Sequence, residues 1–279
     1  MPESIADRTR VDLHVPGGGD WGDALRGVTH LGVGAHADDL EFMAFHGIEQ
    51  GRARGAKFGG VIATDGAGSV GGAEDLVDRR RAEQRAAADL AGYAVMIQLG
   101  LSSAQVQSAE DGMLRADLTE IFGLARPKVI YTHNPADRHD THVAVCLRVI
   151  SALRSLPAED RPEKVYGCEV WRDLDWLTEV DRIRLDCGGD EAFAAKLNRI
   201  FRSQIEGGKR YDLAVIGRRR AQATFDDPRT EDAAEMVTLA MDLTPLVVDP
   251  SLSMEEFTLQ TIDRLRADVS ERLARLGHG

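Results

Sequence analysis

Hydrophobic and polar positions follow two alternating periods along the first 170 residues. Short runs rich in β-branched, small and aromatic residues recur, and apolar residues at helical spacing lie between them. The predicted strands are 29–34, 57–64, 93–99, 128–132 and 165–170, and the predicted helices are 41–51, 73–91, 113–124 and 143–153. Because strands and helices alternate at short intervals, we expect a Rossmann-like α/β fold with a mostly parallel sheet and helices on both faces.

The remaining patterns divide the chain into three regions. Residues 1–27 are polar and glycine-rich and predict an irregular N-terminal arm before the α/β core at 28–185. Residues 186–279 predict a C-terminal extension with helices at 190–205, 213–221 and 255–276. The last helix is amphipathic, so we expect this extension to pack on the core or to form an interface.

Two polar clusters stand directly after predicted strands. The first comprises His36, Asp38, Asp39 and Glu41, and the second is the segment 132–142, which contains three histidines. In parallel α/β sheets the carboxyl ends of the strands form the edge at which ligands bind. We therefore expect the two clusters to converge on one site.

The first cluster alone has two other interpretations. Gly32 and Gly34 could belong to a dinucleotide-binding loop, but the third glycine of that fingerprint is missing and two carboxylates stand where a pyrophosphate would lie. Asp38 and Asp39 could be a helix N-cap and a first-turn acid, which helix ends favour.

The second cluster favours a metal site instead. Catalytic zinc usually takes three His or carboxylate ligands from the protein and keeps a fourth position open. His36, Asp39 and one histidine of the second cluster fit this count.

At these residues the chain resembles the PIG-L/LmbE-like family of zinc-dependent N-deacetylases. The family motif AHPDD, often followed by x-Glu, is similar to the segment 35–41, and the motif HxDH is similar to 139–142. A Thr-x-Gly loop at 64–66 and an RxxExxxAA helix that begins at Arg80 extend the resemblance to about residues 28–155.

Two departures from the motifs bear on the site. Ala37 stands in place of the motif proline, which we expect to be tolerated. Thr141 stands in place of the acid of HxDH, so the neighbouring histidine needs another partner, for which Asp137 or Asp140 could substitute.

The resemblance, together with the ligand count, implies a role for each residue. His36, Asp39 and His142 would hold zinc, with iron(II) or another divalent ion as the alternative. The ion would polarise an amide carbonyl and lower the pKa of a bound water. Asp38 would be the general base. His139 would stabilise the oxyanion or act as general acid, or it is an ordinary surface histidine.

Four residues are candidate substrate contacts. The family helix implies that Arg80 orients an acid or a substrate oxygen. Asp65 opens the glycine-rich loop 65–72, which is either a substrate-contact segment or a solvated loop. Trp171 and Asp173 lie in a charged segment with a second tryptophan, and this segment could form a sugar-stacking wall or pack at the edge of the core.

Charge and composition restrict the partners. The net charge of −12 and the pI near 5.2 argue against nucleic acid or an anionic membrane as the main partner and favour a neutral or cationic small substrate. The three cysteines form neither a disulfide framework nor a CxxC zinc site. The sequence contains no secretory signal pattern and no apolar run of about 18 residues. We therefore expect a soluble cytoplasmic protein without a membrane span.

These features predict a hydrolase that removes an N-acetyl or other N-acyl group from an amino sugar, such as N-acetylglucosamine, or from its conjugate. The sugar follows from the resemblance alone. One alternative is an amidase of a thiol or other conjugate on the same scaffold, and another is a non-catalytic binding protein that retains the fold. The resemblance also implies a homo-oligomer, with the last helix or the triplet 218–220 as contact surfaces; this arginine triplet could equally bind an anion or pair with acids.

Overall fold

An eight-stranded sheet organises the computed structural model, which describes residues 4–68, 75–225 and 229–277. The strands are β1 (Asp12–His14), β2 (His30–Gly34), β3 (Phe58–Thr64), β4 (Val95–Leu101), β5 (Val129–His133), β6 (Lys164–Cys168), β7 (Arg182–Asp186) and β8 (Val237–Asp242). Their order across the sheet is β1-β4-β3-β2-β5-β6-β8-β7. The strands from β4 to β6 in this order pair in parallel, whereas β1, β8 and β7 join antiparallel. The predicted mostly parallel α/β fold is confirmed.

Helices connect the strands and follow the last of them. They are α1 (Trp21–Arg26), α2 (Asp39–Met43), α3 (Phe45–Arg54), α4 (Leu76–Ala91), α5 (Ser103–Gln107), α6 (Met113–Ala125), α7 (Asp140–Arg154), α8 (Glu191–Asn198), α9 (Arg202–Glu206), α10 (Tyr211–Thr224), α11 (Thr244–Val248) and α12 (Met254–Arg275). The predicted loop 65–72 is described only as far as Gly68.

Each face of the sheet has its own hydrophobic core. Val61 and Ala63 of β3 pack in the cluster that contains the apolar residues of α6 and α7, whereas Ile62 packs in the cluster that contains those of α3, α4 and α8. Successive residues of a strand point to opposite faces, so a strand buried on both sides is apolar at every position. All seven residues of β3 are accordingly buried.

Two predictions at the edges of the core are wrong. The N-terminal arm is not wholly irregular, because β1 pairs with β4 and its Asp12 accepts a hydrogen bond from Gln98 Nε2 at 3.0 Å. The helix predicted at 190–205 is two helices, α8 and α9. The chain leaves the helical conformation at Phe201 (ψ 62°), whose side chain is buried in the core.

The segment after β7 returns to the sheet. β8 lies between β6 and β7 and pairs antiparallel with both. β6 ends at Cys168, where the Glu169 carboxylate accepts the backbone N–H groups of residues 170–172 at 2.7–3.1 Å and turns the chain away from the sheet. Within the described ranges, no helix combines the length and apolar content that a bilayer crossing requires. The three cysteines are free and buried.

Candidate metal centre and catalytic site

The two polar clusters meet at the point where the strand order reverses. β3 lies on one side of β2 and β5 on the other, and the loops that follow β2 and β5 lie at the same edge of the sheet. Such a crevice is where open α/β sheets bind ligands. His36 lies in the loop after β2, Asp39 begins α2, and His142 lies in the first turn of α7.

Three candidate ligand atoms lie close together. His36 Nδ1 is 3.2 Å from His142 Nε2 and 3.5 Å from Asp39 Oδ2, and the latter two atoms are 3.6 Å apart. Ligands of a tetrahedral ion with bonds of about 2.1 Å are separated by about 3.4 Å. The donor set of two imidazoles and one carboxylate therefore has both the chemistry and the spacing of a divalent metal site, and the three residues form a group that could hold an ion.

Backbone and imidazole groups hold the Asp39 carboxylate in place. Its Oδ2 atom accepts the N–H groups of Ala35 at 2.9 Å and His36 at 2.7 Å, and His133 Nε2 lies 3.2 Å away. Burial alone would raise the pKa of Asp39, but the surrounding imidazoles, including the hydrogen bonds of His133 and His36, hold this pKa well below its ordinary value. Asp39 is thus fixed as a carboxylate.

A second acid orients His142. Asp137 Oδ2 lies 2.9 Å from His142 Nδ1, and Asp137 Oδ1 accepts the backbone N–H of His139 at 2.9 Å. Burial and the adjacent His133 lower the pKa of His142 to about 2, so the ring is neutral. A neutral imidazole that donates from Nδ1 leaves the Nε2 lone pair for a metal.

Asp137 therefore contacts His142 in the way expected of the acid missing at Thr141. The Thr141 hydroxyl instead accepts a hydrogen bond from Gln107 Nε2 at 2.8 Å, and Asp140 is exposed.

Asp38 occupies an unusual backbone conformation beside these groups. It has a positive φ of 88° and makes no side-chain capping hydrogen bond, unlike the helix cap considered from the sequence. Its side chain is buried, and its Oδ2 atom has no hydrogen-bond partner among the described residues. Burial and the neighbouring charges of Asp39 and Glu41 raise the pKa of Asp38 well above its ordinary value.

Gln84 of α4 braces the turn that carries Asp38. Its Oε1 atom accepts the backbone N–H of Asp38 at 3.2 Å, and its Nε2 atom donates to Glu41 Oε1 at 2.9 Å. Tyr93 also donates to Glu41 at 2.8 Å, yet burial raises the pKa of Glu41 to about 7.

The glycines before the cluster permit close packing rather than a nucleotide loop. A Cβ atom at Gly34 would lie 2.9 Å from Asp39 Cβ, and one at Gly32 would lie 2.9 Å from Leu40 Cδ2. The start of α2 can therefore lie directly against β2, and this contact places Asp39 at the strand end.

His139 lies between the ligand cluster and a cavity. Its ring centroid is 5.0 Å from that of His36 and 4.6 Å from that of His142, and it stacks on Trp171 at 6.3 Å. Burial, and then the charge of His36, lower the pKa of His139. The ring is therefore mostly neutral near pH 7.

The cavity has a volume of about 360 Å³, which is within the usual range for small-molecule sites. Its lining residues are His36, Asp38, Asp39, Phe42, Arg80, His139, Val170, Trp171, Gln204, Tyr211, Ala214, Val215 and Arg218. The lining thus combines residues of the ligand cluster with residues from the segment 170–218.

The four candidate substrate contacts separate into two pairs. Arg80 and Trp171 line the cavity, whereas Asp65 and Asp173 are absent from its described lining. Asp65 accepts the N–H of Ala67 at 2.9 Å, and Asp173 accepts the N–H of Leu174 at 2.6 Å.

Sequence reasoning did not place Tyr211, Val215 and Arg218 at the site. These residues stand at positions i, i+4 and i+7 of α10 and share one face of that helix. The spacing could have indicated the shared face. No local pattern indicates that this face lines the same cavity as the polar clusters after β2 and β5, because distant segments of the chain come together there.

The arginine triplet is divided among three environments. Arg218 donates to the Val170 carbonyl at 2.6 Å and lines the cavity. Arg219 is buried, donates to the carbonyls of Glu41 and Phe42 at the end of α2, and lies 4.2 Å above the ring of Phe45. Arg220 pairs with Glu191.

Known proteins are similar to this chain in sequence or in fold. Residues 31–153 match the profile of the PIG-L family, described as GlcNAc-PI de-N-acetylase. YaiS, an uncharacterised deacetylase of Escherichia coli (strain K12), is 28% identical over 172 residues, which are 60% of this chain and 85% of YaiS.

Solved structures extend the similarity beyond the matched residues. The conserved protein TT1542 of Thermus thermophilus aligns with a TM-score of 0.63 at 19% identity, over 81% of this chain and 99% of its own. The 4-carboxy-2-hydroxymuconate hydratase GalB of Pseudomonas putida KT2440 aligns at 0.59 and 18%, over 77% and 95%. The N,N'-diacetylchitobiose deacetylase of Pyrococcus horikoshii aligns at 0.55 and 18%, over 75% and 82%.

These structural similarities establish the fold alone, and the fold is compatible with more than one reaction. The profile match contains the residues of both polar clusters, from His36 to His142. Residues 31–153 of the chain therefore match the PIG-L family, described as GlcNAc-PI de-N-acetylase, and this matched region contains the candidate metal ligands.

Proposed function

We propose that the protein is a metal-dependent hydrolase that removes an N-acetyl group from an amino sugar or an amino-sugar conjugate. The observation that carries this proposal is the cluster of His36, Asp39 and His142 at the wall of a cavity, with Asp38 beside it. The family match and the deacetylase relative support the reaction class. Because a hydratase has the same fold, the type of reaction is the first thing to test.

The proposed cofactor is Zn²⁺, with Fe²⁺ as the nearest alternative for the same donors. When bound, such an ion polarises the amide carbonyl and lowers the pKa of water toward neutrality. His36, Asp39 and His142 would hold it, and Asp137 would keep His142 in the tautomer that ligation requires.

Side chains of the protein would transfer the proton and stabilise the developing charge. Asp38 lines the cavity with a free carboxylate oxygen, so we assign it as the base that takes the proton of the attacking water and returns it to the leaving amine. His139 reaches the cavity from the opposite cluster. It would donate a hydrogen bond to the oxygen on which negative charge develops.

The proposed sugar site lies beside the aromatic rings of Trp171 and Tyr211. Trp171 stacks on His139 and meets the ring of Tyr211 edge-on at 5.7 Å, which leaves apolar ring surface for the C–H face of a sugar. Asp65 and Asp173 lie outside the described lining, so we restrict the proposed direct contacts to Arg80 and Trp171.

Acetate release that depends on a metal tests this function. The zinc-loaded protein should release acetate from methyl N-acetylglucosaminide or N,N'-diacetylchitobiose. Dialysis against a chelator should abolish release, and zinc or iron(II) should restore it, because water without an ion is a poor nucleophile near pH 7.

The products distinguish the alternatives. Release of a larger acid from acylated thiol conjugates, without acetate release, would indicate an amidase of another class. Saturable sugar binding with no acid released would indicate a binding protein. Undiminished acetate release by the ion-free protein would exclude the proposed metal chemistry.

We also propose that the chain associates with a second copy through α12. Leu259, Ile262, Val269 and Leu273 recur at spacings of three, seven and four along this helix, and each is between 43% and 49% exposed. The N-terminal half of α12 is net acidic, with Glu255, Glu256 and Asp263 against Arg264, and the C-terminal half is net basic by one charge, with Arg266, Arg272 and Arg275 against Asp268 and Glu271. An antiparallel pair would bury the apolar stripe and place opposite charges together.

Ile262→Glu should therefore convert a self-associated protein into monomers, since it places a charge in the centre of this stripe. Sedimentation velocity at several concentrations measures the change. Gln260→Glu adds the same charge at an exposed polar position and should leave the association unchanged. A wild-type chain that sediments as a monomer at every concentration would contradict the proposal.

A further inference from the structure

We propose that Arg219 is a positioning residue for the candidate metal centre, because it fixes the helix that carries Asp38 and Asp39. Arg219 belongs to α10 and therefore to the part of the chain outside the matched region 31–153. The inference rests on the proposed function, of which the metal centre is a part. It adds that a residue of the C-terminal extension sets the affinity of that centre for its ion.

The helix that Arg219 contacts is short and ends close to the site. α2 begins at Asp39 and ends at Met43, and the backbone leaves helical geometry at Ala44 (φ −104°, ψ 18°) before α3 begins. Carbonyl groups in the last turn of a helix have no donor within that helix. A shift of this helix end is passed on to Asp38 and Asp39, because only about one turn of helix lies between them.

Arg219 supplies donors to the end of α2. Its Nη2 group donates to the Glu41 carbonyl at 2.5 Å and to the Phe42 carbonyl at 3.1 Å. Its guanidinium carbon also lies 4.2 Å from the centroid of the Phe45 ring, which belongs to the first turn of α3. Arg219 thus contacts both helices at the break between them and fixes how they meet.

The environment of Arg219 is unfavourable for a charge. The side chain is 2% exposed, and its Nε and Nη1 groups have no hydrogen-bond partner among the described residues. Burial lowers the pKa of Arg219 to about 10, so the group is still charged near pH 7. A methionine would fill a similar volume without the cost of burying a charge, if packing were the only requirement. Such departures from the most stable choice are expected at functional positions.

Arg219 also links α10 to the matched region. Among the described residues of α10, it alone hydrogen-bonds through its side chain to a residue within 31–153. The other long-range side-chain bonds of this helix go to residues between 170 and 232. The bonds of Arg219 therefore hold the cavity lining that α10 supplies at a fixed position relative to the metal ligands.

Zinc affinity measures the proposed role without any turnover. Competition with a chromophoric chelator gives the zinc affinity of the folded protein for the wild type, Arg219→Met, Arg219→Lys and two controls. Arg220→Met removes a charge from the next position of α10, where Arg220 is exposed and pairs with Glu191. Leu118→Ala lowers the stability of the fold from a buried position in α6, which supplies neither a candidate ligand nor a lining residue.

Arg219→Met should weaken zinc binding by roughly tenfold or more, the usual effect of removing a group that supports a metal ligand. Arg219→Lys keeps the charge but not the planar fork and should recover part of the loss. Arg220→Met should bind zinc like the wild type, and so should Leu118→Ala although its Tm is lower. Unchanged zinc affinity in Arg219→Met would overturn the inference, as would an equal loss in Leu118→Ala, since that pattern indicates a purely structural role.

Hydrogen exchange in the wild type decides the matter if Arg219→Met fails to fold. Coupling between two sites is reciprocal, so zinc should slow amide exchange in α10 as well as in α2. The peptide that contains α1 is the reference, because α1 supplies no candidate ligand and no lining residue. The effect of zinc on α10 should be smaller in Arg219→Lys. Exchange in α10 that zinc leaves unchanged would overturn the inference.

Turnover separates this inference from the proposed reaction. At saturating zinc, Arg219→Met should lower kcat for methyl N-acetylglucosaminide with little change in KM, because Arg219 is absent from the described cavity lining. Zinc affinity that depends on Arg219, in a protein that releases no acetate, would uphold the inference and reject the deacetylase. Acetate release with the same zinc affinity and kcat in Arg219→Met as in the wild type would uphold the deacetylase and reject the inference.

Discussion

Replacing Asp38 by asparagine should leave the metal content unchanged and lower the kcat of acetate release by about 10²–10⁴-fold, the usual contribution of a general base. The amide has nearly the shape of the carboxylate but cannot accept the water proton. Asparagine also tolerates the positive φ of 88° at this position, so backbone strain should not add to the effect. Metal analysis and steady-state kinetics on the same sample measure both quantities.

Asp140→Asn is the matched control for this variant. Asp140 is an exposed acid of the second cluster, and the same chemical change there should alter neither metal content nor kcat. Full activity in Asp38→Asn would refute the assignment of the base, and loss of the ion would show that Asp38 is a ligand instead.

Replacing His36 by alanine should remove both the ion and the activity. His36 Nδ1 is one of three candidate ligand atoms, and the remaining pair, Asp39 and His142, cannot complete a three-ligand site. We expect the apparent metal affinity to fall by more than the roughly 100-fold that loss of a partner behind a ligand can cost. Elemental analysis after gel filtration and titration with a chromophoric chelator measure the loss.

His14→Ala provides the control for this second variant. His14 lies in β1, and its ring pairs with Asp89 at 2.7 Å. Its removal should leave the bound ion in place. Retention of a tightly bound ion by His36→Ala would contradict the proposed ligand set, and thermal unfolding of both variants distinguishes ion loss from misfolding.

The sequence predicted the centre of this protein better than its edges. The strand at 57–64 was recognised because it is apolar along its whole length, as a strand buried on both faces must be. β7 was missed because only Leu185 of its five residues is buried, so no continuous apolar run marks it. β8 is buried over five of its six residues but follows an acidic segment, and its pairing partners lie far away in the sequence.

The candidate site divides in the same way. His36, Asp39 and His142 could be found because polar residues directly after apolar strands are conspicuous, and the topology of a parallel sheet brings strand ends together. The part of the lining that α10 supplies could not be found, because the position of this helix depends on long-range contacts such as those of Arg219 with the carbonyls of Glu41 and Phe42. The sequence left both Asp137 and Asp140 as candidate partners of His142. The structure selects Asp137, because its Oδ2 atom lies 2.9 Å from His142 Nδ1.

The position of β8 has a consequence for synthesis of the chain. β6 pairs with β5 on one side and with β8 on the other, so its second edge has no partner until the ribosome has produced residues 237–242. An unpaired strand edge is a template for pairing with another chain. A nascent or truncated polypeptide that stops before β8 would therefore expose the edge of β6 to pairing with other chains.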